Sequence, residues 1–166
     1  KHYGKPYDPS KPYSREPFAA DVSEGKNDPI YNAHSYHTKV PHKAIMRYIL
    51  HYTEPGDVVF DGFCGTGMTG VAATACADIN SVRDIGYVVN PVGDILDENG
   101  VTISRLGLRS CVLCDLSPIA NFIAANLNRP SDTRMFTQYS HAIIEDVRRE
   151  CGWMFETAHS DTRQKG

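Results

Sequence analysis

The chain has 166 residues, 41% hydrophobic and 22% charged, which suffices for one domain with a buried core. A formal charge of −3 is not the signature of a polyanion-gripping protein, and no apolar run approaches the ~18 residues of a membrane span. The charge is unevenly spread: residues 1–47 carry eight basic and five acidic side chains, 48–128 carry three and nine, and 129–166 carry six of each.

Residues 1–30 are polar and hold five of the ten prolines, so an extended arm with little structure of its own is expected there. The opening KHYGKPYDPS lacks the apolar stretch of a secretion signal, and the five cysteines, an odd number, read as reduced thiols of a cytoplasmic protein. From Pro41 the pattern turns helical. PHKAIMRYILHY places Ile45, Ile49 and Tyr52 on one face with Met46 and Leu50 beside them, and Pro41 suits the first turn. TEPGD closes that helix, VVFDG reads as a short buried strand, and MTGVAATACAD as a helix of small residues packed on a sheet.

Residues 86–108 break the alternation. Asn99–Gly100 between DIL and VTI predicts a β-hairpin, read as a separable insertion. SCVLCD at 110–115 reads as a second buried strand ending in Asp115. SPIANFIAANLN follows as a helix, with Ser117 as N-cap and Pro118 in its first turn. A last amphipathic helix is expected within 129–166, with Phe136, Tyr139, Ile143 and Val147 on one face. The pair Cys111 and Cys114 has no second ligand pair at zinc spacing, so buried strand cysteines are expected and no metal. Strands alternating with helices predict a parallel α/β sheet, but two core strands are few where five or more are usual.

The stretch VVFDGFCGTGMTG carries the chemistry. Gly65, Gly67 and Gly70 form G-x-G-x-x-G after a strand and before a helix. That string fits a nucleotide cofactor or a merely tight turn equally well. Asp61 shifts the balance, because a carboxylate there repels a pyrophosphate and welcomes an ammonium. A ligand bearing both an ammonium and a carboxylate is an amino acid, and S-adenosylmethionine ends in one. Asp115, at the tip of the next strand, is the expected ribose acid, usually ~20 residues on. Gly67 and Asp115 are 48 residues apart, and setting aside the 23 residues of 86–108 leaves 25. Charge-assisted bonds to two ribose hydroxyls would each contribute roughly 1.5–3 kcal/mol. The alternative for Asp115 is a helix cap.

With these residues the chain resembles the S-adenosylmethionine-dependent DNA methyltransferases acting on exocyclic amino groups, the N4-cytosine/N6-adenine class. FDGFCGTGMTG resembles that family's glycine motif, with Gly62 in place of Pro and Met68 in place of Thr. YHTKVPHKAIMRYI resembles its upstream cofactor motif, keeping the Thr38-to-Pro41 spacing, and CDLSPIANFIAANLN its ribose-binding segment. The resemblance, which extends to a subgroup of large prokaryotic methylases, covers residues 36–128. It implies a partial Rossmann-like class I methyltransferase fold with the hairpin inserted. The implied organisation is an arm over 1–30, a cofactor-binding subdomain over 31–128 and a C-terminal helix and tail over 129–166.

The cofactor implied is S-adenosyl-L-methionine. The implied cofactor residues are Thr38, Asp61, Phe63, Gly65, Thr66, Gly67, Thr69, Asp115, Leu116 and Ser117. Thr38 and nearby backbone would contact the methionine carboxylate, Asp61 its amino group, and Phe63 and Leu116 the adenosine. The alternatives are a helix cap for Thr38 and core positions for Phe63 and Leu116. His34, His37 and His42 are expected to be solvated or hydrogen-bonded near the cofactor. The implied activity is methyl transfer to an exocyclic nitrogen of adenine or cytosine in DNA, as in restriction–modification, in a prokaryotic cytoplasm.

The family's catalytic Pro-Pro-aromatic motif does not occur in the sequence, and NPVG at 90–93 is a poor substitute. No catalytic residue is assigned. The expectation is therefore an inactive cofactor-binding part of a larger enzyme, with DNA engaged through other parts of it. An incomplete sheet has open strand edges, so a homodimer is a further expectation. The rivals are a nicotinamide or flavin half-domain, a methyltransferase for RNA or another substrate, and a non-catalytic cofactor sensor or subunit.

Overall fold

The computed structural model describes residues 8–157. The chain divides into two units, Lys1–Arg129 and Pro130–Gly166. Residues 1–7 of the expected arm and 158–166 of the expected tail lie outside the described residues.

The first unit is organised around helix α2 (His42–Tyr52), which follows a single-turn helix α1 (Pro29–Asn32). Pro41 is the N-cap of α2 rather than a residue of its first turn. Its fixed φ and missing N–H end the preceding segment without needing a partner. The helix buries Ala44, Met46, Ile49 and Leu50 against helix α3 (Met68–Ala75). Strand β1 (Val58–Asp61) leads into α3, and helix α4 (Ile79–Asp84) follows. Small residues let α3 lie close, so that Ala72, Ala73 and Cys76 join Met46, Ile49 and Leu50 in one core. Burial pushes the Cys76 thiol up to about 12.

Strand β1 pairs in parallel with strand β5 (Ser110–Leu113), Val58 facing Ser110 and Asp61 facing Leu113. This sheet has two strands. The expectation that both strands are buried is corrected. Val59 and Cys111 point into the core, while Phe60 on the opposite face is 71% exposed and Val112 is also exposed. One face of the sheet is covered and the other is not. Cys114, just past β5, is exposed rather than buried, and burial pushes Cys111 up to about 11.

Between α4 and β5 lie strands β2 (Val88–Val89), β3 (Asp94–Leu96) and β4 (Thr102–Arg105), an antiparallel sheet in the order β2-β3-β4. The β3–β4 turn is longer than a two-residue Asn-Gly turn. Only Gly100 takes positive φ, and Asp97 organises the loop by accepting from the amides of Asn99 and Val101. The segment is not a peripheral appendage, because Val89 and Ile95 are part of the core.

Arg109 ties the segment in. It is 2% exposed, and its guanidinium donates to the carbonyls of Thr53, Arg105 and Gly107 and to the hydroxyls of Thr53 and Ser104. Five acceptors around one planar cation offset the cost of taking it out of water.

The described part of the arm has no regular element before α1, as its prolines predict, but it is fastened along α2. The Tyr48 hydroxyl donates to the Ala20 carbonyl and accepts from its amide, and the Tyr52 hydroxyl accepts from the Phe18 amide. The Phe18 ring stacks on His51 at 4.8 Å, and Arg47 grips the Glu24 carboxylate through two nitrogens.

Helix α5 (Pro118–Asn128), capped by Ser117 accepting from the Ala120 amide, completes this unit. The second unit, taken alone, is helix α6 (Thr133–Cys151), capped by Asp132 and followed by a 3-10 turn (Gly152–Phe155). No residue of α6 is buried. Among the described residues no helix is long and apolar enough to cross a membrane.

Candidate functional site

The two parallel strands deliver their last residues to one end of the sheet. The ladder continues past the strands: the Cys114 amide donates to the Asp61 carbonyl, and the Cys64 amide to the Cys114 carbonyl, both at 2.9 Å. The glycine turn is therefore stitched to the tip of β5, and Asp115 emerges beside it.

Both carboxylates are engaged with that turn. Asp61 accepts from the Thr69 hydroxyl at 2.5 Å and from the Phe63 amide at 3.1 Å. Asp115 accepts from the Gly65 amide at 2.9 Å and the Ser117 amide at 2.8 Å. The amides of Ser117 and Gly65 hold the Asp115 carboxyl below the usual carboxylate range. Amides two residues apart lie no more than about 7 Å from each other. The two acids thus border one loop at neighbouring strand tips, not opposite sides of the molecule.

The loop has the shape of a cradle. Gly65 and Gly67 take φ of +51° and +80°, which a side chain at Cβ disfavours. Thr66 between them is 1% exposed, and its hydroxyl has no protein partner. An unmet buried hydroxyl costs about 1–3 kcal/mol. Phe63 is 86% and Leu116 93% exposed, which overturns core packing as the role of either.

Of the residues expected at the site, Asp61, Phe63, Gly65, Thr66, Gly67, Thr69, Asp115, Leu116 and Ser117 come together here. Ser117 both caps α5 and binds Asp115. Thr38 is not the cap of α2. It is exposed, on a wall with His34, Tyr36, His37 and Ile123 of α5, and Tyr36 brings that wall to the loop. The Tyr36 ring lies 3.4 Å from where a Cβ on Gly65 would stand. Sequence reasoning placed Tyr36 at the head of the upstream motif but gave it no role. It missed Asn128, whose side-chain amide donates to the Gly67 carbonyl.

His42 is 4% exposed, with Nδ1 unpartnered, and burial holds its pKa below the ordinary histidine value against the pull of Asp28. His34 is likewise lowered, by burial and by Lys39. Among the described residues no group of metal-ligating side chains comes together.

An S-adenosylmethionine-like ligand fits the chemistry of this donor set: carboxylates for an ammonium and for ribose hydroxyls, a free hydroxyl in a glycine loop, and exposed apolar side chains for an adenine. No curated protein and no solved structure matches the chain. Residues 8–78 match the family model described as DNA methylase, N6_N4_Mtase, a span running from the arm through α2, β1 and the glycine turn to the end of α3. That match supports a DNA methyltransferase of the N6/N4 class, a transferase acting in DNA methylation.

Proposed function

We propose that this chain is the S-adenosylmethionine-binding part of a DNA methyltransferase that acts on an exocyclic amino nitrogen of adenine or cytosine. The observation that carries the reading is the pairing of Asp61 and Asp115 on one glycine loop. In it Asp61 receives the ligand's ammonium, and Thr38 with neighbouring backbone receives its carboxylate. Asp115 keeps lone pairs free beyond its two amide bonds and accepts from the ribose hydroxyls. Phe63 and Leu116 flank the adenine. Gly65, Thr66 and Gly67 bring backbone and the unpartnered hydroxyl close, while Thr69 and Ser117 hold the two acids in place. The bound cofactor supplies a methyl already activated on a sulfonium, so the residues here need only hold and orient it.

The β1–β5 sheet has two strands with open outer edges and one uncovered face with Phe60 in solvent, which supports a fold extended by further strands at the edges and covered by a further layer. In the intact enzyme those strands and the catalytic segment come from the rest of a longer protein, which flips the target base into reach. A second copy of the chain is the alternative cover for the open sheet edges.

Calorimetry with S-adenosylhomocysteine tests the reading. Asp115→Ala is expected to weaken binding about tenfold or more, and Asp115→Asn by less, with both variants folded. Equal affinities for the folded variants and the parent would remove Asp115 from the site. The chain alone is expected to transfer no methyl to duplex DNA, and turnover by it would overturn the division of labour proposed.

A further inference from the structure

The glycine loop is closed from the side by a residue with no role in the cofactor reading. Asn128 is the last residue of α5, and its Nδ2 donates to the Gly67 carbonyl at 3.0 Å and to the Ala124 carbonyl at 2.9 Å. Gly67 is the left-handed N-cap of α3. Its carbonyl is also the first acceptor of that helix, taking the amides of Gly70 at 3.0 Å and Val71 at 3.4 Å.

The contact leaves no slack. A Cβ on Gly67 would lie 2.6 Å from Asn128 Nδ2 and 2.8 Å from the Ala124 Cβ, and one on Gly70 would overlap Asn128 Oδ1. A Cβ on Gly65, by contrast, meets only the Tyr36 ring, at an ordinary 3.4 Å. The second and third glycines of the motif are therefore demanded by α5 whether or not a ligand is bound. Only the first is free of it.

The Gly67 carbonyl and the Met68 N–H share one rigid peptide plane and point in opposite directions. A donor that fixes the carbonyl also fixes where that N–H points, which is out of the helix start. We propose that Asn128 is a positioning residue for the glycine loop, setting the plane of the Gly67–Met68 peptide through its side-chain amide. This rests on the reading of the loop as the cradle of an adenosyl amino acid, and it names what gives the cradle its geometry.

Asn128→Ala removes the donor without adding bulk, and Asn128→Asp, of the same shape and without the amide donor, serves if the alanine variant does not fold. In isotope-labelled protein without ligand, the Gly67 carbonyl carbon and the Met68 amide resonances are expected to move, with the α2 core resonances in place. S-adenosylhomocysteine affinity is expected to fall roughly three- to tenfold at little change in melting temperature. Unmoved Gly67 and Met68 resonances overturn the proposal. So does an affinity loss that merely tracks a global loss of stability, which would make Asn128 a packing residue. If the parent protein binds no S-adenosylhomocysteine, the cofactor reading fails, and the ligand-free resonances alone decide for or against Asn128.

Discussion

Helices α2 and α6 are both amphipathic, with apolar residues recurring every three or four positions, yet α2 buries Met46, Ile49 and Leu50 whereas nothing on α6 is buried. Phe136, Tyr139, Ile143 and Val147 form the stripe expected of α6, and each is more than half exposed. Periodicity states which face of a helix would turn inward. It does not state whether a complementary surface exists. For α2 that surface is supplied by α3, whose Gly70, Ala72 and Ala73 allow a close approach.

The contrast is broken or sharpened by four measurements. Leu50→Ala should have the largest effect, destabilising the first unit by about 2–5 kcal/mol in urea unfolding, because a fully enclosed side chain leaves a cavity. A loss under ~0.5 kcal/mol would mean that α2 is no better anchored than α6.

Acid should come next. Burial depresses the His42 pKa, with Asp28 opposing and Lys43 adding to the shift. A ring held neutral in the fold stabilises fully above the ordinary value of ~6.5. That contribution is lost as pH falls below it, through the folded value, because the unfolded chain takes up the proton first. His42→Gln should flatten stability between neutral pH and the folded pKa, and an unchanged slope would take His42 out of the account.

Thiol labelling compares the two helices directly. Cys76, beneath α2 with its pKa at about 12, should resist iodoacetamide until unfolding, whereas Cys151 at the end of α6 and the exposed Cys114 should react in the native state. Labelling of Cys76 at the rate of Cys114 would show that the core opens readily. The smallest effect belongs to Ile143→Ser, expected to change stability by no more than about 0.5 kcal/mol. A larger loss would reveal a partner surface for the α6 stripe.

Several features were legible in the sequence because their causes are local. The strand–turn–helix at Asp61–Gly70 needs glycines where φ is positive, and Ser117 with Pro118 announces the start of α5. Others were misread for the lack of a neighbour. The segment 86–108 looks separable because its turn signal is self-contained. Its place in the core depends on Ile95 and on Arg109, whose acceptors at Thr53 stand 56 residues away.

The strand–turn–helix order around the glycine loop, the two acids at the strand ends and the positive-φ turn at Gly65 and Gly67 were determined by the sequence alone, since each follows from neighbours within a few positions. The tertiary structure decided which surfaces stay open, as at Phe60, Phe63 and Leu116. It also decided that Asn128, 61 residues from Gly67, reaches the glycine turn. The physical reason is range: backbone preferences act between adjacent residues, whereas burial and a side-chain hydrogen bond across the fold exist only once distant segments meet.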